Sequence, residues 1–348
     1  MPFQIDQGDA VEVSGLVWVV TIGLILGLIV LDLVTVSSKP HDVLFKEATI
    51  WSIFYIAVAI AFGVWVFSNF GTQYGTEYFT AYLVEKSLSV DNIFVFAIIL
   101  AQFAVPSVYH QRVLLIGVLL ALALRAIFIA IGAAALAAFS FTFVIFGALL
   151  IWTGITLFRH WDEDPDLNEN FIVRNVTKRI RSVKEYHGTK LFIKIDGIRY
   201  ATPMLIVMIA IGATDLLFAI DSIPATFGVT QEAFLVFAVN AFALLGLRAL
   251  YFLLKGLLDR LIYLSLGLSF ILVFIGVKLV LTFFHEIYDS VPKIPSSTSF
   301  LVIIGILLVA TIASIIKSKQ DPTAKKRAGR LLSRKEAKIE EPPVKKEK

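Results

Sequence analysis

The sequence predicts an all-α polytopic membrane protein, because of its composition and its long apolar runs. Of its 348 residues, 58% are hydrophobic and 17% are charged. Soluble domains are nearer about 45–50% apolar and about 25% charged. With no cysteine in the chain, a disulfide framework and a thiolate metal site are both excluded. The composition therefore indicates helices that cross a bilayer.

About nine transmembrane helices are expected from the apolar runs. A helix needs roughly 17–25 apolar residues to span the hydrocarbon core. Runs of about that length lie at 15–36, 50–68, 78–105, 112–138, 139–158, 201–227, 231–254, 261–284 and 299–317. The chain then divides into an N-terminal segment (1–14), helices 1–5 (15–158), a loop (159–200), helices 6–9 (201–317) and a C-terminal tail (318–348).

The distribution of basic residues orients these helices. Lys and Arg accumulate in cytoplasmic loops, and the loop 159–200 is rich in them while the segment 71–77 has none. With nine spans, the N-terminus is expected outside and the C-terminus inside. Residues 1–14 lack both the basic segment of a signal peptide and the composition of a transit sequence, so the first apolar run is expected to stay as an anchor. We expect a multi-pass protein of the bacterial plasma (inner) membrane.

Much of the positive charge lies in the tail that follows Ile316. The tail contains the basic clusters Lys325–Arg327 and Arg334–Lys335. Such clusters attract anionic lipids at the cytoplasmic face of a membrane, so the lipid bilayer, and not nucleic acid, is the expected partner. Because the tail has no apolar periodicity, we expect it to be largely disordered.

Two polar stretches interrupt the apolar runs at membrane depth. The first is the segment Glu85–Asn92 and the second is Asp215–Ser222, and each contains two acids that are six residues apart. An ionisable group in the bilayer costs at least about 2.5–3.5 kcal/mol on insertion scales. The two motifs are therefore expected to be functional.

Two three-helix units, helices 3–5 and helices 6–8, are predicted to form an inverted repeat. The segment Leu124–Phe128 resembles Leu247–Tyr251, and each lies one helix after an acidic motif. Because each unit has an odd number of spans, the second unit has the opposite orientation. Inverted repeats place transporter sites near the bilayer midplane, at the interface between the repeats.

The polar side chains of the two motifs form an all-oxygen ligand set. Acids six residues apart on an ideal helix diverge by about 120°. A local break would let both acids of a motif face one ion, and Pro224, which removes a backbone donor, predicts such a break. Carboxylate, amide and hydroxyl oxygens suit Mg²⁺, Ca²⁺ or Mn²⁺ rather than Cu or Zn. The candidate metal ligands are Glu85, Asp91, Asn92, Asp215, Asp221 and Ser222.

The alternative interpretation is that the buried charges only pair with one another. In the ion-site interpretation, three bases (Arg125, Arg248 and Lys278) hold the empty site together electrostatically. The role of a fourth base, Lys86, stays open. Two further polar residues, Asp32 and Asn240, are candidates for the site, although an amide in the middle of a helix more often bonds a neighbouring helix.

An enzyme is not expected. The sequence has no phosphate-binding loop, and no nucleophile–base pair or His-containing metal motif lies at membrane depth. Transport would then be secondary, passive or driven by another subunit, and no resident cofactor is expected.

The motifs carry a resemblance to a known family. The segments Tyr82–Asn92 and Asp215–Ala225 are similar to the two signature motifs of the TerC family of integral membrane proteins, which is linked to tellurium resistance and manganese export. Similarity continues through Leu124–Gly132, Ala201–Met204, Leu245–Phe252 and Ile275–Lys278, and it covers most of residues 47–282. The resemblance implies Mn²⁺ as the transported cation and the bacterial plasma membrane as the location. Many relatives have an acid three residues before Asp215, where this chain has Gly212.

Two functional hypotheses follow. The first is a secondary transporter that exports a divalent cation, with Mn²⁺ the leading candidate, through a midplane site. The second is a membrane scaffold that does not transport, but acts with membrane or secreted protein partners in metal or tellurite stress or in the metalation of secreted proteins.

Overall fold

The computed structural model describes residues 13–37, 43–103, 105–160, 183–254 apart from 184, 189 and 196, 262–288 and 290–320. This part of the chain is almost entirely helical. Its helices are α1 Gly15–Ser37, α2 Phe45–Phe70, α3 Thr72–Gln102, α4 Ser107–Ala138, α5 Thr142–Arg159, α6 Pro203–Val229, α7 Ala233–Leu244, α8 Leu247–Leu254, α9 Leu264–Ile287 and α10 Ser296–Gln320. One antiparallel hairpin, β1 Phe192–Ile195 and β2 Ile198–Ala201, precedes α6.

The predicted fold class, an all-α polytopic membrane protein, is confirmed. Eight spans among the described residues are long and apolar enough to cross a membrane, with α7 and α8 together forming one of them. Helix α3 is longer still, at 31 residues, but it carries the charges of the first motif and is therefore less apolar. Counting α3, the described helices match the nine predicted spans in order. The inverted repeat and the orientation in the membrane stay predictions.

The first motif lies on a helix that begins earlier than predicted. The glycine at position 71 ends α2 with a φ of 92°, and α3 starts at Thr72 instead of near Tyr78. The polar residues Thr72–Thr76 lie outside the apolar run, and yet they form the beginning of the helix. This extra turn carries Glu77 into the ordered helix.

One membrane span is interrupted, but it is not the span in which the sequence predicts a break. Helix α6 continues through Pro224 without interruption, so the predicted break there is wrong. A proline is tolerated because only one hydrogen bond of the ladder is lost and neighbouring helices support the chain. The interruption instead separates α7 from α8 at Leu245–Gly246, where Gly246 has a φ of 80°.

Gly246 is a position where a side chain should destabilise the protein. A Cβ there would lie 2.7 Å from Tyr55 Cβ, in addition to the cost of a left-handed backbone, which is about 1–3 kcal/mol for other residues. We expect Gly246→Ala to lower the thermal unfolding midpoint of the purified protein. The control is Gly305→Ala, since a Cβ at Gly305 meets no atom within 4 Å. An unchanged midpoint for Gly246→Ala would contradict this account of the break.

The hairpin lies in the region predicted as a loop, between α5 and α6. Its strands pair Phe192 with Ala201 and Ile195 with Ile198, and the Asp-Gly sequence at positions 196 and 197 is a recognised hairpin signal. Just before it, burial raises the pKa of Tyr186 to about 12. Its protonated hydroxyl donates a hydrogen bond to the Phe103 carbonyl at 2.8 Å, which ties this segment to the end of α3.

Candidate functional site

A buried guanidinium joins the two acidic motifs. Arg125 of α4 donates from Nη1 to Glu85 of α3 and to Asn240 Oδ1 of α7, the latter at 2.8 Å. Its Nε and Nη2 donate to the two carboxylate oxygens of Asp215 on α6, at 3.3 and 3.4 Å. All four side chains are at most 1% exposed. We call Glu85, Arg125, Asp215 and Asn240 the central cluster.

Two secondary contacts fix the orientation of the central cluster. Asn240 Nδ2 donates to the Val236 carbonyl at 2.9 Å, and this leaves the amide oxygen facing Arg125. Thr226 Oγ1 lies 3.4 Å from the second carboxylate oxygen of Glu85 and 2.9 Å from the Ser222 carbonyl. The cluster is therefore held by side chains of four helices, α3, α4, α6 and α7.

The charges in the central cluster do not balance. Two carboxylates, Glu85 and Asp215, face one guanidinium, so the formal sum is one excess negative charge. A planar guanidinium with five donors can satisfy both acids at once, but it cannot neutralise both. Fully buried ions are stabilised only when their partners and hydrogen bonds are complete. The excess negative charge favours the approach of a cation or a proton.

The second half of each motif lines a separate space. A cavity of about 290 Å³ is bordered by Asn92 of α3, Thr153 of α5, and Asp221 and Ser222 of α6. Asp221 Oδ1 accepts a hydrogen bond from Thr153 Oγ1 at 3.0 Å. His160, at the end of α5, also borders this space. We call it the Asp221 cavity.

Several polar atoms around the Asp221 cavity have no hydrogen-bond partner among the described residues. They are Asn92 Nδ2 and Ser222 Oγ, and, one turn from Asn92 on α3, Ser89 Oγ. Buried polar groups are nearly always paired, so such atoms need an explanation. Asn92 is 4% exposed and Ser222 is 1% exposed. Asn92 and Ser222 border the cavity, so these two groups are available to contact a ligand that enters it.

The structure divides the predicted ligands between two places. Glu85 and Asp215 lie in the central cluster, whereas Asn92, Asp221 and Ser222 border the Asp221 cavity. The divergence of about 120° between acids six residues apart accounts for this separation, because α6 stays helical between them. Within the part of the chain that the structure describes, no three His, Cys, Asp or Glu side chains form a metal cluster. The side chain of Asp91 lies outside that part.

Arg248 and Asp32 do not belong to the central cluster, contrary to prediction. Arg248 Nη2 donates to Asp32 Oδ1 at 2.6 Å, and its Nη1 donates to Gln111 Oε1 at 3.1 Å. Tyr55 donates to the same Asp32 oxygen at 3.0 Å. Because the break at Gly246 starts a new helix just before Arg248, this arginine faces α1 and the start of α4. It forms a second buried ion pair.

Lys278 also lies away from the central cluster. It borders a large vestibule of about 930 Å³ formed by the start of α3, the α6–α7 turn, the end of α9 and the start of α10. Its electrostatic partner there is Glu77, an acid that is not among the residues predicted for the site. We call this space the Glu77 vestibule.

Lys86 has a structural partner. Its Nζ donates to the Ala243 carbonyl at 3.1 Å, one residue from the end of α7. The last carbonyls of a helix have no partner within the helix, and a cation there is favourable. Lys86 therefore stabilises the break between α7 and α8. The sequence signal for this role was its position next to Glu85, on a different face of α3.

Gly212, where the family resemblance leads us to expect an acid, is a packing position. A side chain there would contact the end of Leu120 on α4. Because Leu120 is 41% exposed, it has room to move. Because position 212 has no acid, the carboxylate of this part of α6 that contacts Arg125 comes from Asp215.

Comparison with known proteins shows what the chain is similar to. It matches the family described as "Integral membrane protein TerC family" over residues 70–322. It is 42% identical over 307 residues to an uncharacterized membrane protein of Myxococcus xanthus, and the alignment covers 88% of this chain and 94% of that protein. A membrane protein of Mycobacterium tuberculosis is 46% identical over 314 residues, and the alignment covers 86% of this chain and 79% of that protein. A membrane protein of Rickettsia felis is 38% identical over 300 residues, and the alignment covers 86% of this chain and 97% of that protein. No solved structure matches.

Proposed function

The chain belongs to the integral membrane protein TerC family, and from that premise we propose that it is a secondary transporter that exports a divalent cation, with Mn²⁺ as the cargo. The bacterial relatives are membrane proteins, which is consistent with a plasma-membrane location. The proposed cation path uses both acidic motifs, including Asp91.

The observation that carries this proposal is the Asp221 cavity. It combines a carboxylate with the amide of Asn92 and the hydroxyls of Ser222 and Thr153 inside a bundle of spanning helices. Oxygen ligands of this kind bind hard divalent cations such as Mn²⁺, Mg²⁺ and Ca²⁺. Two of the polar groups have atoms without partners in the described residues. A cation would take the Ser222 oxygen as a ligand, and a water molecule in the cavity would accept the hydrogen bond that Asn92 Nδ2 donates.

Helix α3 provides a line of polar groups between two opposite spaces. Glu77 borders the vestibule, Glu85 lies in the central cluster, and Asn92 borders the Asp221 cavity. At 1.5 Å per residue these groups are separated by about 12 and about 10 Å along the helix. Since the Asp221 cavity extends to His160, its open end lies on the predicted cytoplasmic side. Export would move the cation from this cavity past the central cluster to the vestibule.

Arg125 would act as an internal competitor for the cation. When no metal is bound, the guanidinium occupies both Glu85 and Asp215. A divalent cation that approaches from the Asp221 cavity would weaken these contacts, because it offers the same carboxylates a higher charge. Thr226, which contacts both Glu85 and the Ser222 carbonyl, connects the two places. If the two carboxylates alternate between Arg125 and the cation as their partner, cation movement would be coupled to a rearrangement of the helices.

A second candidate function is the scaffold that does not transport. It is favoured by one observation: Arg125 uses its donors on Glu85, Asp215 and Asn240, as a purely structural ion pair would. In that case the buried charges stabilise the fold by pairing with one another, and none of the carboxylates binds a cation.

Exchanging the paired charges separates the two functions. We expect the variant Glu85→Arg with Arg125→Glu to accumulate better than Arg125→Glu alone, because the exchange restores opposite charges. We also expect it to export no Mn²⁺, because the carboxylate has moved to α4. The measurement is the Mn²⁺ content of preloaded cells over time, normalised to the abundance of the tagged protein. Export by the exchanged variant at the wild-type rate would contradict a ligand role for Glu85.

A further inference from the structure

The Glu77 vestibule is a large cavity that the sequence-based site did not include. Its volume is about 930 Å³, and it opens at the end of the bundle opposite to the Asp221 cavity. By the predicted orientation, this end is extracytoplasmic. A cation that passes the central cluster must cross this space before it reaches the outside.

Glu77 is held at the wall of this vestibule by three polar side chains from three segments. It accepts hydrogen bonds from Thr230 Oγ1 at 2.7 Å, Gln73 Nε2 at 3.1 Å and Ser296 Oγ at 3.2 Å. The carboxylate is only 6% exposed, although it borders a large cavity. Hydroxyl groups rotate and can accept as well as donate. The same residues can therefore surround a cation with oxygen atoms.

A buried lysine shares the vestibule with Glu77. Lys278 is 7% exposed and lies within electrostatic range of Glu77, and no direct ion pair between them is found in the described residues. A second lysine, Lys293, borders the same space but is exposed to solvent. The positive charge of Lys278 is therefore the less screened of the two, and it interacts electrostatically with Glu77.

We propose that Glu77, with Thr230 and Ser296, forms an outer site for the exported divalent cation, and that Lys278 competes with the cation for Glu77 and so promotes its release. This inference rests on the proposed export function. A carboxylate with hydroxyl partners is suited to a hard cation. The lysine keeps the affinity low, which an exit site requires because a tightly bound ion would not leave.

An anion is the less suitable occupant of this site. The carboxylate of Glu77 would repel it, and the hydroxyls nearest to the cavity wall already donate to Glu77. An anion would have to bind to Lys278 beside that carboxylate. The two occupants predict opposite effects of removing Lys278, so one experiment distinguishes them.

The test measures how Mn²⁺ on the outer face inhibits transport. Everted membrane vesicles expose the cytoplasmic face, and Mn²⁺ loaded in the lumen reaches the vestibule. The half-inhibitory concentration is the luminal Mn²⁺ concentration at which the initial rate of transport is halved. We expect Lys278→Met to lower this concentration about tenfold, since removal of a nearby positive charge strengthens cation binding. Glu77→Gln should raise it by about tenfold. The matched control is Lys293→Met, which removes the solvent-exposed lysine and should leave the half-inhibitory concentration near the wild-type value.

The outcomes separate this inference from the export function. If the wild type transports Mn²⁺ but Lys278→Met and Glu77→Gln leave the half-inhibitory concentration unchanged, the outer site is wrong while export stands. If Lys278→Met raises that concentration, Lys278 does not compete with the cation for Glu77, and the inference is also overturned.

A binding measurement covers the case in which the wild type does not transport. Mn²⁺ binding to the purified full-length Asp221→Asn chain, followed by calorimetry, reports the outer site without transport. Binding that Glu77→Gln weakens and Lys278→Met strengthens would support the outer site even if export failed. Binding that neither change alters would overturn it.

Discussion

Replacing Asp221 with asparagine is expected to abolish Mn²⁺ export. Asp221 supplies the carboxylate of the Asp221 cavity, and an amide of the same shape offers a cation no negative charge. Contacts to a charged group are worth about 1.5–3 kcal/mol, so the affinity of the cavity should fall roughly ten- to a hundredfold. The measurement is the loss of Mn²⁺ from preloaded cells that express each form of the protein.

The abundance of the Asp221→Asn protein should equal that of the wild type. The asparagine oxygen can still accept the hydrogen bond that Thr153 donates at 3.0 Å, and the change removes a partly buried charge. The control is Glu185→Gln, which removes an exposed carboxylate before the hairpin and should leave export unchanged. Export by Asp221→Asn at the wild-type rate would exclude this cavity from the cation path.

Replacing Arg125 with methionine is expected to destabilise the fold more than Gly246→Ala or the loss of any one acid. It would leave Glu85 and Asp215 buried, adjacent and without their cation. Removing one partner of a buried ion pair costs about 3–5 kcal/mol. We expect a lower thermal unfolding midpoint in detergent and a smaller monodisperse fraction on gel filtration. Arg199→Met, in the exposed hairpin, is the control.

Neutralising the acids should reverse the Arg125→Met defect. In the triple variant with Glu85→Gln and Asp215→Asn, no uncompensated charge remains in the central cluster, and neutral amides of similar volume fill the space. Stability should recover most of the way to the wild type. A stable Arg125→Met protein, or a triple variant no more stable than the single one, would contradict the electrostatic account of the cluster.

The sequence predicted the spans well because the bilayer imposes a strong constraint on length and composition. Each apolar run became a helix, and the charged helix α3 was found because its apolar flanks are long enough to cross a membrane. The boundaries were less accurate where polar residues extend a helix beyond its apolar part. Thr72–Thr76 is the clearest case, and with it Glu77 was missed.

The arrangement of the site was predictable only in part. An unbroken helix separates Asp215 from Asp221, so the predicted single ligand set, which relied on a break at Pro224, was wrong. Arg125 could be anticipated as a buried partner for acids. The positions of Arg248 and Lys278 could not, because they depend on how helices pack. Arg248 follows the break at Gly246, which packs closely against Tyr55, and no local pattern signals that contact.

The most direct test of the account is Mn²⁺ flux into liposomes that contain only the purified chain. An internal dye that Mn²⁺ quenches would report the flux for the wild type and for Asp221→Asn at equal protein content. The account predicts quenching above that of protein-free liposomes for the wild type and none for Asp221→Asn. Wild-type protein that is monodisperse and correctly inserted, and yet no faster than protein-free liposomes, would contradict it.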